Sequence, residues 1–76
     1  MLKITELVKD GILEISFQDP NLQFKNYTIK SLDGHVISSG KITGYTQRTC
    51  LYIGELKKGD YHFQLGDVDA ILFKIV

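Results

Sequence analysis

Few side chains in this 76-residue chain could do chemistry: one cysteine, two histidines and a pair of closely spaced aspartates. His35 follows a turn glycine, and His62 lies on the polar face of an alternating segment. No Ser-His-Asp or Cys-His arrangement can be argued from their spacing. A catalytic histidine needs a carboxylate to orient it and a concave pocket, and a domain this small has little interior to provide one. The sequence therefore predicts a protein that is not an enzyme.

Two further features concern metal binding. The segment GDVDAI brings Asp67 and Asp69 to one side of a turn, where two carboxylates could contact a calcium ion. Because no other oxygen ligands follow at loop spacing, a solvated hairpin tip is the simpler interpretation, and both interpretations stay open. Cys50 is the single cysteine, which excludes an internal disulfide and a zinc site built from several cysteines. We expect no cofactor.

The charge balance limits the classes of partner. Nine Lys and Arg residues offset nine Asp and Glu residues, so no long-range field attracts the chain to a phosphate backbone or an anionic bilayer. No apolar stretch approaches the roughly 20 residues that span a bilayer. The first residues, MLKITELVKDG, lack the apolar centre of a secretory signal. We expect no nucleic-acid partner and no membrane insertion, and both a cytoplasmic protein and a trimmed, exported one remain open.

The residues named above lie in or between segments that the sequence predicts to be strands. Apolar and polar residues alternate with a period of two in four segments: ILEISF, FKNYTIKSL, YHFQL and AILFKIV. In RTCLYI, the same period turns Leu51 and Ile53 inward and Tyr52 outward. The segment ITELVKD fits a helix or a strand, and the surrounding strands favour a strand. HVISSGKITG is expected to be a returning strand interrupted near Ser38 to Gly40.

Turn signals separate these strands about every ten residues. They include QDPN, the pair Asp33-Gly34 and the segment KKGD. Gly34 and Gly59 are expected to supply the positive backbone angles that residues with a side chain rarely adopt. Each turn reverses the chain so that the next alternating strand covers the same core.

The length allows one domain, residues 1–76, because a chain of this size buries only about 60% of its unfolded surface. The predicted fold class is all-β, a small antiparallel, Ig-like β-sandwich of six or seven strands. Leu65 and Ile75 share the apolar faces of their segments. The principal buried residues are predicted to be Leu13, Ile15, Phe17, Tyr27, Ile29, Leu51, Ile53, Leu56, Tyr61, Phe63, Ile71 and Phe73.

The four tyrosines divide into two pairs. Tyr27 and Tyr61 fall on core phases, whereas Tyr45 and Tyr52 do not, which makes the latter two candidates for an exposed contact. They could equally be surface aromatics that stiffen a sheet through cross-strand pairs. Both interpretations stay open.

From Tyr27 onward, the chain resembles the C-terminal sorting domains of proteins exported through the type IX secretion system of Bacteroidetes. It resembles other short sandwich modules secreted by those bacteria more loosely. The similarity lies in YTIKSLDGHVI, in LYIGELKKGDYHFQL and in the closing FKIV. Its strongest element is the set Leu56, Gly59 and Tyr61, with Asp33-Gly34 upstream.

This resemblance implies a non-catalytic sorting or attachment module at the cell surface or outside the cell. Its implied partner is a protein, either the export machinery or a surface protein, which would read the final strands and the turn around Lys57 to Tyr61. The alternative is a free-standing secreted module that binds a protein or a glycan. The candidate recognition residues are Tyr45, Tyr52, Lys57, Lys58 and Lys74.

Overall fold

Strands are the only regular elements in the part of the chain that the computed structural model describes, which is residues 2–18, 26–42 and 48–76. The all-β prediction is therefore confirmed. The strands are β1 (Leu2–Ile4), β2 (Leu7–Val8), β3 (Ile12–Phe17), β4 (Asn26–Ser31), β5 (Val36–Lys41), β6 (Arg48–Tyr52), β7 (Gly59–Leu65) and β8 (Ile71–Ile75).

These strands form two open sheets around one core. The smaller sheet has the order β1-β3-β6, and the larger has the order β2-β8-β7-β4-β5. Alternate residues of the long strands point inward from both sheets, as the period of two predicts. One cluster collects the buried side chains: Val8, Leu13, Ile15, Phe17, Ile29, Ile42, Ile53, Tyr61, Phe63, Leu65, Phe73 and Ile75.

The predicted count of six or seven antiparallel strands is wrong, since the described residues contain eight strands and one parallel pair. The difference comes from the start of the chain, because ITELVKD holds the last residue of β1 and all of β2, which lie in different sheets. The Thr5 amide donates to the Glu14 carbonyl at 3.0 Å, which continues the pairing of β1 with β3. The Glu6 carbonyl accepts from the Lys74 amide at 2.9 Å, which starts the parallel pairing of β2 with β8. The chain therefore changes sheets between Thr5 and Glu6.

The predicted core agrees with the structure for most residues. Eight of the predicted residues are buried: Leu13, Ile15, Phe17, Ile29, Ile53, Tyr61, Phe63 and Phe73. Tyr27, Leu51 and Leu56 are partly buried and pack against the cluster. Ile71 is only partly buried, so its prediction as a principal core residue is wrong. It lies at the first position of β8, opposite Phe63.

The returning strand β5 is interrupted one residue before the predicted stretch Ser38 to Gly40. Ile29 pairs with Ser38 and Lys30 pairs with Val36, so Ile37 is the extra residue of a bulge. Ser38 to Gly40 keep a regular register with β4. Gly40 serves close packing instead, because a Cβ there would lie 2.8 Å from the Tyr27 ring. Its small size therefore permits a ring contact and does not break the strand.

Candidate functional site

The turn between β4 and β5 is held by a local hydrogen-bond network. The Ser31 amide donates to the His35 carbonyl at 2.9 Å, and Gly34 adopts a φ of 91°. The Asp33 carboxylate accepts from the Ser31 hydroxyl and from the His35 amide, and its Oδ2 lies 2.9 Å from His35 Nδ1. Ser31 first, and then His35, lower the pKa of Asp33 below 3.8. Both members of the His35–Asp33 pair are exposed, so this pair stabilises a turn and forms no catalytic pocket.

The connection from β6 to β7 forms a hydrogen-bonded corner. The Tyr61 hydroxyl donates to the Lys57 carbonyl at 2.7 Å, four residues upstream. Gly59 adopts a φ of 148°, in the region that favours glycine. The Tyr61 ring stacks on Phe73 with centroids 5.7 Å apart, which joins the corner to the closing strand β8. We call the segment Leu56–Tyr61 the β6–β7 corner.

The hydroxyl contact at this corner was not anticipated from the sequence, which placed Tyr61 only in the core. The residue type alone could have indicated this hydrogen bond. A tyrosine at a buried position usually directs its hydroxyl to a hydrogen-bond partner, whereas a phenylalanine has no such requirement. Tyr61 is 9% exposed and meets this requirement through Lys57.

The candidate recognition residues occupy different faces of the molecule. Lys57 and Lys58 are exposed in the β6–β7 corner. Lys74 is exposed on the outer face of the five-stranded sheet and lies opposite Asp60, so it is close to the corner. Tyr52, by contrast, is 80% exposed on the outer face of the three-stranded sheet.

Tyr45 lies outside the described residues. The structure thus groups the three lysines near one end of β7 and β8, and it separates Tyr52 from them.

A shallow groove of about 180 Å³ crosses the outer face of the three-stranded sheet. Lys3, Ser16 and Arg48 line it and form one row across the strands. Thr5 and Glu14 line the next row, where the Glu14 amide donates to Thr5 Oγ1 at 3.1 Å. These residues supply hydrogen-bonding groups of both charges, and the described lining contains no histidine or thiol. The groove therefore offers polar contacts of both charges.

Metal ligands do not converge in the described part of the chain. No group of three or more His, Cys, Asp or Glu side chains could hold an ion there. Asp67 and Asp69 are exposed in the turn after β7, where Gly66 has a φ of 59°. Cys50 is exposed on the outer face of β6.

Among residues 2–18, 26–42 and 48–76, no helix is both long and apolar enough to cross a membrane. Comparisons with protein families, with curated proteins and with solved structures found no match to this chain.

Proposed function

We propose that this chain is a non-catalytic, Ig-like sandwich module that acts in sorting or attachment, through a surface that a protein partner reads. The resemblance to type IX sorting domains implies a site of action at the cell surface or outside the cell. One observation carries the proposal. The residues that give the strongest similarity, Leu56, Gly59 and Tyr61, form a single hydrogen-bonded corner that packs on the closing strand.

The strand order supports the Ig-like part of the proposal. In an immunoglobulin constant domain, strands A, B and E are neighbours in one sheet, and strands C, F and G form the other. Here β1, β3 and β6 occupy the positions of A, B and E, while β4, β7 and β8 occupy those of C, F and G. The added strand β5 lies beside β4, as C′ lies beside C in variable domains.

The β6–β7 corner supports the same assignment. Ig-like domains place a tyrosine near the start of strand F and bond its hydroxyl to the backbone a few residues upstream. Tyr61 is the third residue of β7, the equivalent of strand F, and its hydroxyl donates to the Lys57 carbonyl. This bond fixes the path of the connection between the two sheets.

The surface around the corner is suited to recognition by a protein. Its backbone is held by the Tyr61 bond and by the pairing of Gly59 with Ile75, so the exposed side chains project from a defined scaffold. Lys58 and Lys74 are both exposed there. A partner that reads this end would contact the corner and β8 together.

A fusion experiment tests the proposal. Residues 1–76 are joined to the C-terminus of a passenger that carries a signal peptide, in a bacterium with an active type IX system. The intact fusion is expected at the cell surface or in the medium. The double variant Lys58→Ala and Lys74→Ala is expected to leave more passenger in the periplasm, because it removes exposed charges while keeping the core.

Two controls make the result specific. The double variant Lys3→Ala and Lys41→Ala removes two exposed lysines from β1 and β5, away from the corner, and is expected to export normally. Ile15→Asp buries an unpaired charge at a fully buried position and reports how unfolding alone affects export. Failure of the intact fusion, in a host whose own sorting domains work in the same assay, would contradict the sorting role.

The second candidate function is a free-standing module that binds a protein or glycan. The exposure of Tyr52 favours it, since Tyr52 pairs with Ile12 on the same sheet face as the polar groove. Aromatic rings next to hydrogen-bonding groups are common in recognition surfaces. Two results together would favour this candidate. The intact fusion would fail to be exported, and the chain would bind a partner in a way that Tyr52→Ala abolishes.

A further inference from the structure

A cleft of about 300 Å³ opens where the first strands separate from each other. β1 pairs with β3 as far as Ile4, and the chain then crosses to the five-stranded sheet, where β2 begins at Leu7. The beginning of β3 therefore extends past the end of β1, and the cleft lies beside it. The residues that line the cleft are Thr5, Leu7, Lys9, Asp10, Ile12 and Glu14.

Two side-chain oxygens in this cleft are held in place by the backbone of β3. Thr5 Oγ1 accepts from the Glu14 amide at 3.1 Å, and Asp10 Oδ1 accepts from the Ile12 amide at 3.2 Å. A peptide that added to this side of β3 as a strand would have to displace both bonds, because it would need the same two amides. The Thr5 hydroxyl proton and the second carboxylate oxygen of Asp10 are left for a ligand that contacts side chains.

The turn that carries Asp10 is packed tightly against the residues that follow β6. The Gly11 carbonyl accepts from the Ile53 amide at 2.8 Å. Gly11 has a φ of 77°, and a Cβ at this position would lie 3.0 Å from the Gly54 Cα. Because the backbone of the turn is fixed on both counts, Asp10 presents its carboxylate to the cleft from a defined position.

The polar groups of the cleft include donors and acceptors side by side. The Lys9 ammonium group only donates, the carboxylates of Asp10 and Glu14 only accept, and the Thr5 hydroxyl can do both. Lys9, Asp10 and Glu14 are exposed, so a ligand can reach their charged groups. The cleft therefore suits a ligand that donates and accepts hydrogen bonds at several points.

We propose that this cleft binds an uncharged saccharide. Each sugar hydroxyl both donates and accepts, so one ligand can bond to the Lys9 ammonium group and to the two carboxylates at once. An anion would be repelled by Asp10 and Glu14, and a cation would be repelled by Lys9. The C–H groups of a sugar ring find apolar surface on Leu7, which is 49% exposed, and on Ile12.

Saccharide binding in the cleft belongs to the second candidate function, on which it rests, and does not depend on the sorting role. Sorting is assigned to the β6–β7 corner and is measured by export, whereas sugar binding is measured on the isolated chain. Tyr52 lies outside the lining of the cleft and pairs with Ile12 at its border. Variants of Tyr52 and of the cleft residues therefore distinguish a sugar on the ring from a sugar in the cleft.

An NMR titration of the unaltered, isotope-labelled chain tests the site. The probes are the uncharged disaccharides cellobiose, maltose and lactose, with inorganic phosphate as the anionic probe and spermidine as the cationic one. At least one disaccharide is expected to shift the amide resonances of Leu7, Ile12 and Glu14 with a millimolar Kd, and neither ion is expected to do so. The proposal is overturned if no disaccharide shifts them up to about 100 mM, well above such a Kd. It is also overturned if only phosphate or spermidine shifts them.

A double variant of the cleft gives the second measurement. Lys9→Ala with Glu14→Ala removes one donor and one acceptor from exposed positions, and it is expected to weaken the Kd for the bound disaccharide by about tenfold or more. The matched control, Lys41→Ala with Asp67→Ala, makes the same change of charge at exposed positions in β5 and in the turn after β7. The control is expected to bind like the parent.

Two outcomes with these variants would contradict the site. The first is a cleft variant that binds the disaccharide as tightly as the parent does. The second is binding that Tyr52→Ala abolishes and the cleft variant keeps. That second outcome would place the sugar on the Tyr52 ring, so it would overturn the cleft as the site while supporting the second candidate function.

Discussion

The hydrogen bond at the β6–β7 corner is the basis for a quantitative prediction about Tyr61. Tyr61→Phe removes the hydroxyl that donates to the Lys57 carbonyl at 2.7 Å and keeps the ring that stacks on Phe73. A neutral hydrogen bond contributes about 0.5–1.5 kcal/mol net. The bond is only partly buried, so water can reach the Lys57 carbonyl and replace the lost donor. We therefore expect a loss of about 1 kcal/mol in the free energy of unfolding.

The ring is expected to contribute more than the hydroxyl. Tyr61→Ala also removes the stacking contact and leaves a cavity at a position that is 9% exposed, at a cost of about 3–5 kcal/mol. Urea unfolding followed by circular dichroism measures both variants. In a thermal melt, the loss of 1 kcal/mol corresponds to a Tm decrease of about 4–8 °C for a domain of this length.

Tyr52→Phe is the matched control, because it removes the hydroxyl of a tyrosine that is 80% exposed. We expect it to change stability by less than about 0.5 kcal/mol. The reasoning would be refuted if Tyr61→Phe unfolded at the same urea concentration as the parent while Tyr61→Ala was strongly destabilised. The ring alone would then hold the corner.

Three other predictions concern the core and the turns. Phe63→Ala is expected to cost about 3–5 kcal/mol, because Phe63 is fully buried; a parental melting temperature would contradict this. Gly59→Val is expected to cost about 1–3 kcal/mol, whereas Lys58→Ala changes little. Open space surrounds Gly59, so the cost is backbone strain at a φ of 148°, and chemical denaturation should show it for Gly59→Ala as well. Asp33 has a pKa below its ordinary value of 3.8. Its contribution to the stability of the fold is therefore fully present above pH 3.8 and is lost as the pH falls through the folded-state pKa. Ser31→Ala should raise that pKa in an NMR titration, and an unchanged value would exclude the Ser31 bond as its main cause.

The long strands could be predicted because alternation directly records which face each residue occupies. Leu13, Ile15 and Phe17 are buried as the period of two requires, and the same holds for Tyr61 and Phe63. Alternation does not record which sheet a strand joins. A two-residue strand such as β2 has too few residues to show any period, so the change of sheet after Thr5 could not be read from the sequence.

The local irregularities depended on contacts between distant residues. Position 40 requires a glycine because the Tyr27 ring lies against it. Ile37 is the residue that the edge strand β5 has in excess of β4. Neither contact leaves a periodic signal. Prediction of the candidate site had the same limit. Alternation places Tyr52 on an outer face, but it does not show that Lys74 lies on the outer face of the other sheet, so the sequence could not separate the two residues.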